Sequence, residues 1–508
     1  MARRAAGRFI GWFRPLRGDA QPPLQEQLYR AIRAGVLEGR LRPGERLPSS
    51  RALAEDLGLS RNTVTGACDR LVAEGYLAAR PASGLFVAED MPESLGGQVD
   101  HGAAASFSRR GQRLIGAGGQ RLIGGDGAVG SAPQAGRVFA IGVPALDEFP
   151  LETWRRITNR RLRRSERGLL AHGDPQGLLD LRLALADYLR EARGLRCGPE
   201  HILVVSGAQQ ALDLVGRVLL DPGDLAALED PGYAGIRQAL LAVGARLAPV
   251  PVDAQGLDPA LLPKLAAGAK LVAVTPSHQF PLGGTMPLPR RLALLAQARE
   301  RDFMILEDDY DCEFRYAGPP LPALQGLEQA TGDAGRDGGG ENGRVIHVGT
   351  FSKVLFPGLR LGYLVLPPAL LDGFRRVKAI ADGHGASLPQ AVLADFIAEG
   401  HLAQHARRMR KLYRQRQQAL LAALQESCGD SLTVGPAEAG LHLVAQFRDG
   451  RDDRAAAEAC EAAGLAPSPL SRYCIEHKMS GLLLSYAAWP PEALAAAARK
   501  LAKILAKP

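Results

Sequence analysis

The stretch VIHVGTFSKVLFPGLRLGY (345–363) holds a single lysine, Lys353, between two apolar runs. An amine in such a setting is partly desolvated, which lowers its pKa and makes it available to form a Schiff base with an aldehyde. Thr350 and Ser352 place hydroxyl groups beside Lys353, and Arg360 follows on its carboxyl side. Together these groups predict a site for an aldehyde that carries a phosphate. A solvent-facing lysine at a strand end is the alternative, but it does not account for the neighbouring groups.

Apolar runs of strand length recur through residues 137–508 and predict the fold class of this region. They are HILVV (201–205), LAALE (225–229), LVAVT (271–275), FMILE (303–307), RVIHV (344–348) and LGYLVL (361–366). Helical patterns lie between them, for example at 209–220, 288–299 and 369–381. Strands that alternate with helices indicate an α/β domain whose central sheet is mostly parallel and buried on both faces.

The end of the chain is predicted to form a smaller α+β lobe at about 387–508. A long helix is expected to start near Ser387 and to run past Arg416. The segment TGDAGRDGGGENG (331–343) has no packing capacity, so we expect it to be a surface insertion.

Residues 20–88 have helical periodicity and predict an all-α winged helix-turn-helix head. Ser60 is a strong N-cap candidate for its third helix, RNTVTGACDRLVAEG, in which Val64 and Leu71 face inward. A hairpin with Gly84 at its tip would form the wing. Residues 1–88 carry 14 arginines against 8 acidic side chains, a net charge of +6. This is the electrostatic footprint of a protein that binds a phosphate backbone, and a solvated arginine-rich helical face is the alternative.

Residues 89–136 are rich in Gly, Ser and Ala and predict a flexible linker. The sequence GQRLIG occurs in it twice, at 111–116 and 119–124. A repeat architecture needs a longer period and more copies, so this pair indicates a local duplication.

The composition of the 508 residues excludes several classes of protein. A hydrophobic content of 46% with 23% charged residues is typical of a globular protein, and the length predicts two to four domains. No apolar stretch reaches the length of a membrane span, and the basic N-terminus lacks the apolar core of a signal peptide. The six cysteines are scattered without a CxxC pair, so we expect no disulfide framework, no metal site and a cytoplasmic location.

Three further motifs carry chemistry and lie at the ends of predicted strands. SGAQQAL (206–212) is a turn into a helix whose first free amides can cradle a phosphate. EDDYDCEFRY (307–316) places Asp308 where it can pair with a protonated pyridine nitrogen, although such acidic clusters also occur as metal sites or solvated loops. EDPGYAG (229–235) places Tyr233 where its ring can stack on a ligand, with an ordinary core or surface tyrosine as the alternative.

The head resembles the GntR family of bacterial regulators. The matching string is RPGERLPSSRALAEDLGLSRNTVTGACDRLVAEGYLAARPASGLFV. In that family the second helix, the start of the third helix and the wing contact double-stranded DNA. The resemblance therefore implies these DNA-binding residues: Arg51, Ser60, Arg61, Asn62, Thr63, Thr65, Arg80 and Gly84.

Residues 139–490, within the predicted domain at 137–508, resemble the class I and II aminotransferases of fold type I. Together with the head and the linker, the strings TPSHQFPLG, EDDYDCEFRY and GTFSKVLFPGLRLGY resemble the MocR/GabR family of regulators. The resemblance implies pyridoxal phosphate (PLP) as cofactor, with Lys353 forming its internal aldimine. Asp308 would bind the pyridine nitrogen, Tyr310 the phenolic oxygen, and Tyr233 would stack on the ring. The phosphate would be held by Ala208, Gln209, Thr350, Ser352 and Arg360.

Three residues depart from the aminotransferase pattern. Phe280 occupies the place of an asparagine, a loss shared with the MocR-type regulators. His172 stands where these families commonly have a tyrosine that reaches the partner subunit's cofactor. GLLLSYAAW (481–489) lacks the arginine that holds a substrate carboxylate, and Arg472 is the nearest candidate for that role.

Two functions follow from these features. The first is a PLP-dependent DNA-binding transcriptional regulator that senses PLP or an amino compound, acting as a head-to-tail homodimer. The second is a PLP-dependent aminotransferase with an appended DNA-binding head. The missing arginine and Phe280 count against efficient turnover.

Overall fold

The computed structural model describes residues 22–81, 83–89, 136–163, 167–318, 322–330, 343–435 and 438–506. The chain divides into two compact units, Met1–Ser106 and Phe107–Pro508, and each is described by itself. The predicted linker and the predicted insertion at 331–343 lie almost wholly outside the described residues.

In the described residues, the head has three helices and a two-stranded wing. The elements are α1 Leu24–Leu37, α2 Ser50–Leu57, α3 Arg61–Ala73, β1 Leu77–Arg80 and β2 Gly84–Val87. The side chain of Ser49 caps α2 by accepting from the Ala52 amide at 3.2 Å, and Ser60 caps α3 by accepting from the Thr63 amide at 3.1 Å. A buried cluster that includes Leu28, Ile32, Val64 and Leu71 holds the helices together.

The wing is the antiparallel pair β1–β2, in which Arg80 lies opposite Gly84. Gly84 has a φ of 105°, a conformation that an L side chain rarely adopts, so the hairpin turns at the predicted glycine. The predicted winged helix-turn-helix fold is confirmed.

The large unit contains an eight-stranded sheet. Its strands are β3 Ile202–Val205, β4 Leu225–Asp230, β5 Arg246–Asp253, β6 Gly256–Leu257, β7 Leu271–Val274, β8 Met304–Asp308, β9 Val345–Thr350 and β10 Gly362–Val365. Their order in the sheet is β3-β10-β9-β8-β7-β4-β5-β6. The pairs from β9 to β5 are parallel, whereas β10 is antiparallel to both of its neighbours. All six apolar runs form strands, as the sequence predicts.

Helices cover both faces of this sheet and build the second lobe. They are α4 Leu151–Arg163, α5 Leu179–Arg193, α6 Ala208–Leu219, α7 Ala234–Ala242, α8 Leu262–Leu265, α9 Leu288–Arg301, α10 Leu324–Ala330, α11 Pro368–Asp382, α12 Ser387–Ala398, α13 His401–Cys428, α14 Asp453–Ala462 and α15 Pro491–Leu505. The single long helix predicted from Ser387 past Arg416 is wrong. The chain breaks at Gly400, whose φ of 77° is incompatible with a continuous right-handed helix, and so forms α12 and α13 instead.

The smaller lobe contains an antiparallel sheet with the order β11-β12-β14-β13. These strands are β11 Leu432–Val434, β12 His442–Phe447, β13 Ser468–Pro469 and β14 Gly481–Ser485. Phe139 forms a bridge to Ser485, so the start of the large unit adds to this sheet. None of the helices in the described residues has the length and apolar character that a membrane crossing needs.

Candidate cofactor site and DNA-binding face

The predicted phosphate ligands come together because β10 lies between β3 and β9. In the register of the sheet, Gly362 is opposite both Val205, the last residue of β3, and Thr350, the last residue of β9. The turn that leads into α6 follows Val205, and Arg360 precedes Gly362 in the chain. Three segments that are distant in sequence therefore meet at one edge of the sheet.

The shape of this edge depends on glycine. Gly207, with a φ of 88°, precedes the first turn of α6, and a Cβ built on it would lie 3.7 Å from Nη1 of Arg360. A Cβ on Gly362 would lie 3.1 Å from the Cα atom of Gly207. The Thr350 hydroxyl accepts from the Ser352 amide at 3.2 Å. Free amides at a helix N-terminus, hydroxyls and a guanidinium form a cradle suited to a phosphate.

Lys353 lies close to this cradle and is half-buried. Its Nζ donates to the carbonyl oxygen of Gly142 at 3.2 Å. Gly142 has a φ of 87°, a conformation that an L side chain rarely adopts, and a Cβ on it would lie 2.8 Å from this nitrogen. Burial lowers the pKa of the Lys353 amine, against the opposing charges of Asp311 and Asp308. The amine is therefore biased toward its neutral, nucleophilic form.

Asp308 ends β8 and is buried. Burial and the charges of Asp309 and Asp311 raise its pKa to about 7. Its Oδ1 atom has no hydrogen-bond partner among the described residues. A buried carboxylate oxygen without a donor fits a ligand that brings its own N–H, as a protonated pyridine nitrogen does. The donor set at this edge thus fits PLP.

Two tyrosines border the same region. The Tyr310 hydroxyl lies 2.8 Å from Nδ1 of His278, and its ring packs edge-on against Phe280 at 5.9 Å. The ring of Tyr233 also packs edge-on against Phe280, at 5.6 Å. A Cβ on Gly235 would lie 2.4 Å from the Tyr233 ring, so this glycine makes room for it.

Two buried polar residues near the site, Glu229 and His278, were not predicted from the sequence. Glu229, in β4, accepts from both the hydroxyl and the amide of Thr275, and burial raises its pKa to about 7. His278 lies in the TPSHQFPLG string, which directly follows β7. A histidine beside the end of a parallel strand was the available signal, because the ends of these strands face the ligand crevice.

The structure shows what surrounds Phe280, Arg472 and His172, the residues linked to the three departures from the aminotransferase pattern. Phe280 belongs to an apolar cluster with Leu483 of β14, Leu470 and Tyr473. Arg472 lies on the same short turn as Tyr473, Leu470–Tyr473. The ring of His172 packs edge-on against His384 at 5.7 Å.

The recognition helix of the head presents polar side chains to solvent. Arg61, Asn62 and Thr65 of α3 are exposed, Thr63 is half-buried, and Arg51 of α2 is exposed. Arg80 at the wing pairs with Glu89 at 2.9 Å and lies over the Phe86 ring. Arg46 was not predicted, yet its Nε lies 3.6 Å from a Cβ built on Gly84, so a further cation flanks the wing tip.

Comparisons with known proteins agree with both units. Residues 138–501 match the family described as aminotransferase class I and II, and residues 24–87 match the bacterial regulatory proteins of the gntR family. The chain is 41% identical to a probable rhizopine catabolism regulatory protein, MocR, of Rhizobium meliloti, over 94% of this chain and 92% of that protein. It is 39% identical to the transcriptional regulator TauR of Rhodobacter capsulatus, over 80% of this chain and 81% of that protein.

A solved structure supports the fold of the large unit. LysN, an α-aminoadipate aminotransferase of Thermus thermophilus complexed with N-(5'-phosphopyridoxyl)-L-leucine, superposes with a TM-score of 0.66 at 31% identity. The superposition covers 72% of this chain and 91% of LysN. The chain therefore belongs to the MocR-type transcriptional regulators, in which a DNA-binding head of the gntR family is joined to a PLP-dependent domain of the class I and II aminotransferase family.

Proposed function

We propose that this regulator binds DNA through residues 20–88 and senses PLP, or an amino compound that reacts with it, through residues 137–508. One observation carries the proposal. A half-buried lysine, a buried carboxylate oxygen without a donor and a glycine-lined cradle with an arginine meet at one sheet edge. The same chain carries a head whose recognition helix exposes polar side chains.

Each group at the edge has a distinct role in this proposal. Ala208, Gln209, Thr350, Ser352 and Arg360 hold the phosphate, Asp308 pairs with the pyridine nitrogen, and Lys353 supplies the amine. Tyr310 donates to the phenolic oxygen and Tyr233 stacks on the ring. When bound, PLP supplies an aldehyde that condenses with amines and a pyridinium ring that withdraws electrons.

The protein's own residues prepare the site for this chemistry. The Gly142 carbonyl accepts from the Lys353 amine and so positions it, and burial lowers the pKa of this amine. A cation beside Asp308 would lower the raised pKa of that carboxyl, so pairing and ionisation favour each other. The apolar cluster around Phe280 excludes water from the side next to Tyr310.

We propose an amino compound as the effector. The relative in Rhizobium meliloti is named for rhizopine catabolism, and an amino compound is the class that the lysine site accepts. Leu483 and Phe280 make one wall of the region apolar. We propose Arg472, on the turn that ends at Tyr473, as the anchor when the effector carries a carboxylate.

In this proposal residues 89–136 act as a tether between the head and the cofactor domain. The effector then changes the populations of the arrangements that the heads adopt and does not transmit strain through the tether. We propose a head-to-tail homodimer in the cytoplasm, in which each head lies near the cofactor domain of the other chain. A two-fold assembly would match two operator half-sites. Sedimentation of the full chain with and without operator DNA tests this assembly, and a monomer bound to one half-site would contradict it.

An aminotransferase with an appended head is the second candidate, favoured by the complete set of lysine, carboxylate and phosphate cradle. Purified full-length protein with PLP, a panel of amino donors and 2-oxo acids separates the two. We expect at most slow turnover, together with operator binding that responds to the amino donor. Steady multiple turnover without any change in operator binding would favour the enzyme.

A further inference from the structure

A buried histidine joins two side chains of the EDDYDCEFRY motif. Nδ1 of His278 lies 3.0 Å from Oδ2 of Asp311 and 2.8 Å from the hydroxyl oxygen of Tyr310. His278 and Asp311 are 4% and 2% exposed, so water does not replace these contacts. One imidazole nitrogen therefore serves a carboxylate and a phenol at the same time.

The positions of the protons follow from these distances. A carboxylate has no hydrogen to donate, so the short contact with Asp311 requires the proton to be on Nδ1 of His278. That N–H is shared between Asp311 and the Tyr310 oxygen, which acts as an acceptor. The hydrogen of the Tyr310 hydroxyl is then free to point elsewhere. Burial, Asp311 and Asp308 raise the pKa of Tyr310 well above its usual value, so the hydroxyl stays a donor.

The surroundings hold the imidazole in place. A Cβ on Gly440 would lie 2.1 Å from Cε1 of His278, so the chain at Gly440 closes tightly over the ring. The other imidazole nearby, His442, lies 5.7 Å from it between ring centroids, and its Nε2 contacts the Pro281 carbonyl oxygen at 3.0 Å. Burial lowers the pKa of His442 to about 3, so that ring is neutral. Phe280 packs on Tyr310 and offers no polar atom.

We propose that His278 and Asp311 are positioning residues that fix the proton of Tyr310 so that its hydroxyl donates to the phenolic oxygen of bound PLP. This inference rests on the proposed function, because it assigns the direction of a hydrogen bond in the same site. Asp311 fixes the tautomer of His278, and His278 occupies the acceptor side of Tyr310. His278 and Asp311 thus provide the hydrogen bonding to Tyr310 that the apolar side chain of Phe280 cannot provide.

The test uses the PLP-loaded full chain and the pH at which its visible absorbance changes. A donor to the phenolic oxygen stabilises the deprotonated chromophore, so its loss raises the midpoint. We expect Tyr310→Phe to raise the midpoint by about one pH unit and to weaken PLP binding by about tenfold. We expect a similar change for His278→Gln, whose amide reaches the position of Nε2 and not that of Nδ1.

His278→Asn is the matched variant, because its amide nitrogen occupies the position of Nδ1 and can donate to both partners. We expect its midpoint to stay close to that of the wild type. In a Tyr310→Phe background, His278→Gln should cause no further shift, since the histidine acts through the tyrosine. If His278→Gln does not fold, His278→Leu takes its place in the same comparison.

The outcomes separate this inference from the proposed function. An unchanged midpoint in His278→Gln, or an equal shift with and without Tyr310, would overturn the positioning role. A shift in His278→Asn as large as that in His278→Gln would also overturn it. A wild-type protein that shows no visible band with PLP, or a band that survives in Lys353→Ala, would contradict the proposed function itself.

Discussion

Replacing Asp308 by asparagine separates the charge of this carboxyl from its shape. In the folded domain burial raises its pKa from 3.8 to about 7, whereas the unfolded chain retains the ordinary value. Between these values the folded state holds a proton that the unfolded state has lost. The contribution of Asp308 to the free energy of unfolding is therefore fully present below its unfolded pKa of 3.8. It is lost as the pH rises through its folded pKa of about 7. Each pKa unit corresponds to 1.36 kcal/mol, so the loss is up to about 4 kcal/mol.

Asparagine does not ionise, so the stability of Asp308→Asn does not decrease with pH through this residue. Without PLP, we expect the large domain of the variant to gain in melting temperature relative to wild type between pH 4 and pH 8, by about 5 °C for a domain of this size. Adding PLP at pH 8 should stabilise the wild type more than the variant, because the pyridinium pairs with the ionised carboxylate. Scanning calorimetry of both proteins at both pH values measures each effect.

Asp372→Asn on an exposed helix surface is the control and should give the same difference from wild type at both pH values. If Asp308→Asn behaves like this control, the carboxyl does not titrate in the predicted window. If PLP stabilises wild type and Asp308→Asn equally at pH 8, Asp308 does not pair with the cofactor.

Three further predictions concern single side chains. Lys353→Ala should abolish the visible absorbance band of the PLP-treated protein while the circular dichroism of the chain stays unchanged; a persisting band would show that another amine reacts. Arg61→Ala should weaken operator binding by about 1–3 kcal/mol if Arg61 contacts a base edge, as measured by fluorescence anisotropy across a salt series. An unchanged affinity and salt slope would contradict the interpretation of α3 as the helix that contacts DNA. Ser60→Ala should lower the hydrogen-exchange protection of α3 amides by about fivefold, because a lost N-cap costs about 1 kcal/mol, whereas Ser60→Asp should retain the protection. Equal protection in wild type and both variants would mean that the cap does not stabilise α3.

Local patterns predicted much of this fold because the signals were strong. Six apolar runs of strand length became strands, and Ser60 capped the helix that follows it. β5 was missed because Pro249 and Pro251 interrupt its apolar pattern, although it pairs with β4 along its length. The break at Gly400 was missed because the polar and apolar spacing continues across it, and one residue in a left-handed conformation is enough to end a helix.

Some residues of the candidate site were also predictable from the sequence, and others were not. Lys353 and Asp308 could be singled out because each follows or ends an apolar run, and strand ends face the crevice. His278 could not be connected with Asp311, because their contact depends on how the loop after β7 meets the loop after β8. Arg46 was missed for a similar reason, since its neighbour Gly84 is brought to it only by the turn of the wing.

The response of DNA binding to PLP tests the central claim most directly. Operator fragments selected from genomic DNA by the full-length protein would be titrated with wild type and with Lys353→Ala, each stripped of PLP and then saturated with it. We predict that PLP changes the operator affinity of wild type by about 5- to 150-fold, the usual range of coupling between sites, and leaves that of Lys353→Ala unchanged. An identical affinity of wild type in both states, or an equal response in Lys353→Ala, would contradict a sensor that acts through this lysine.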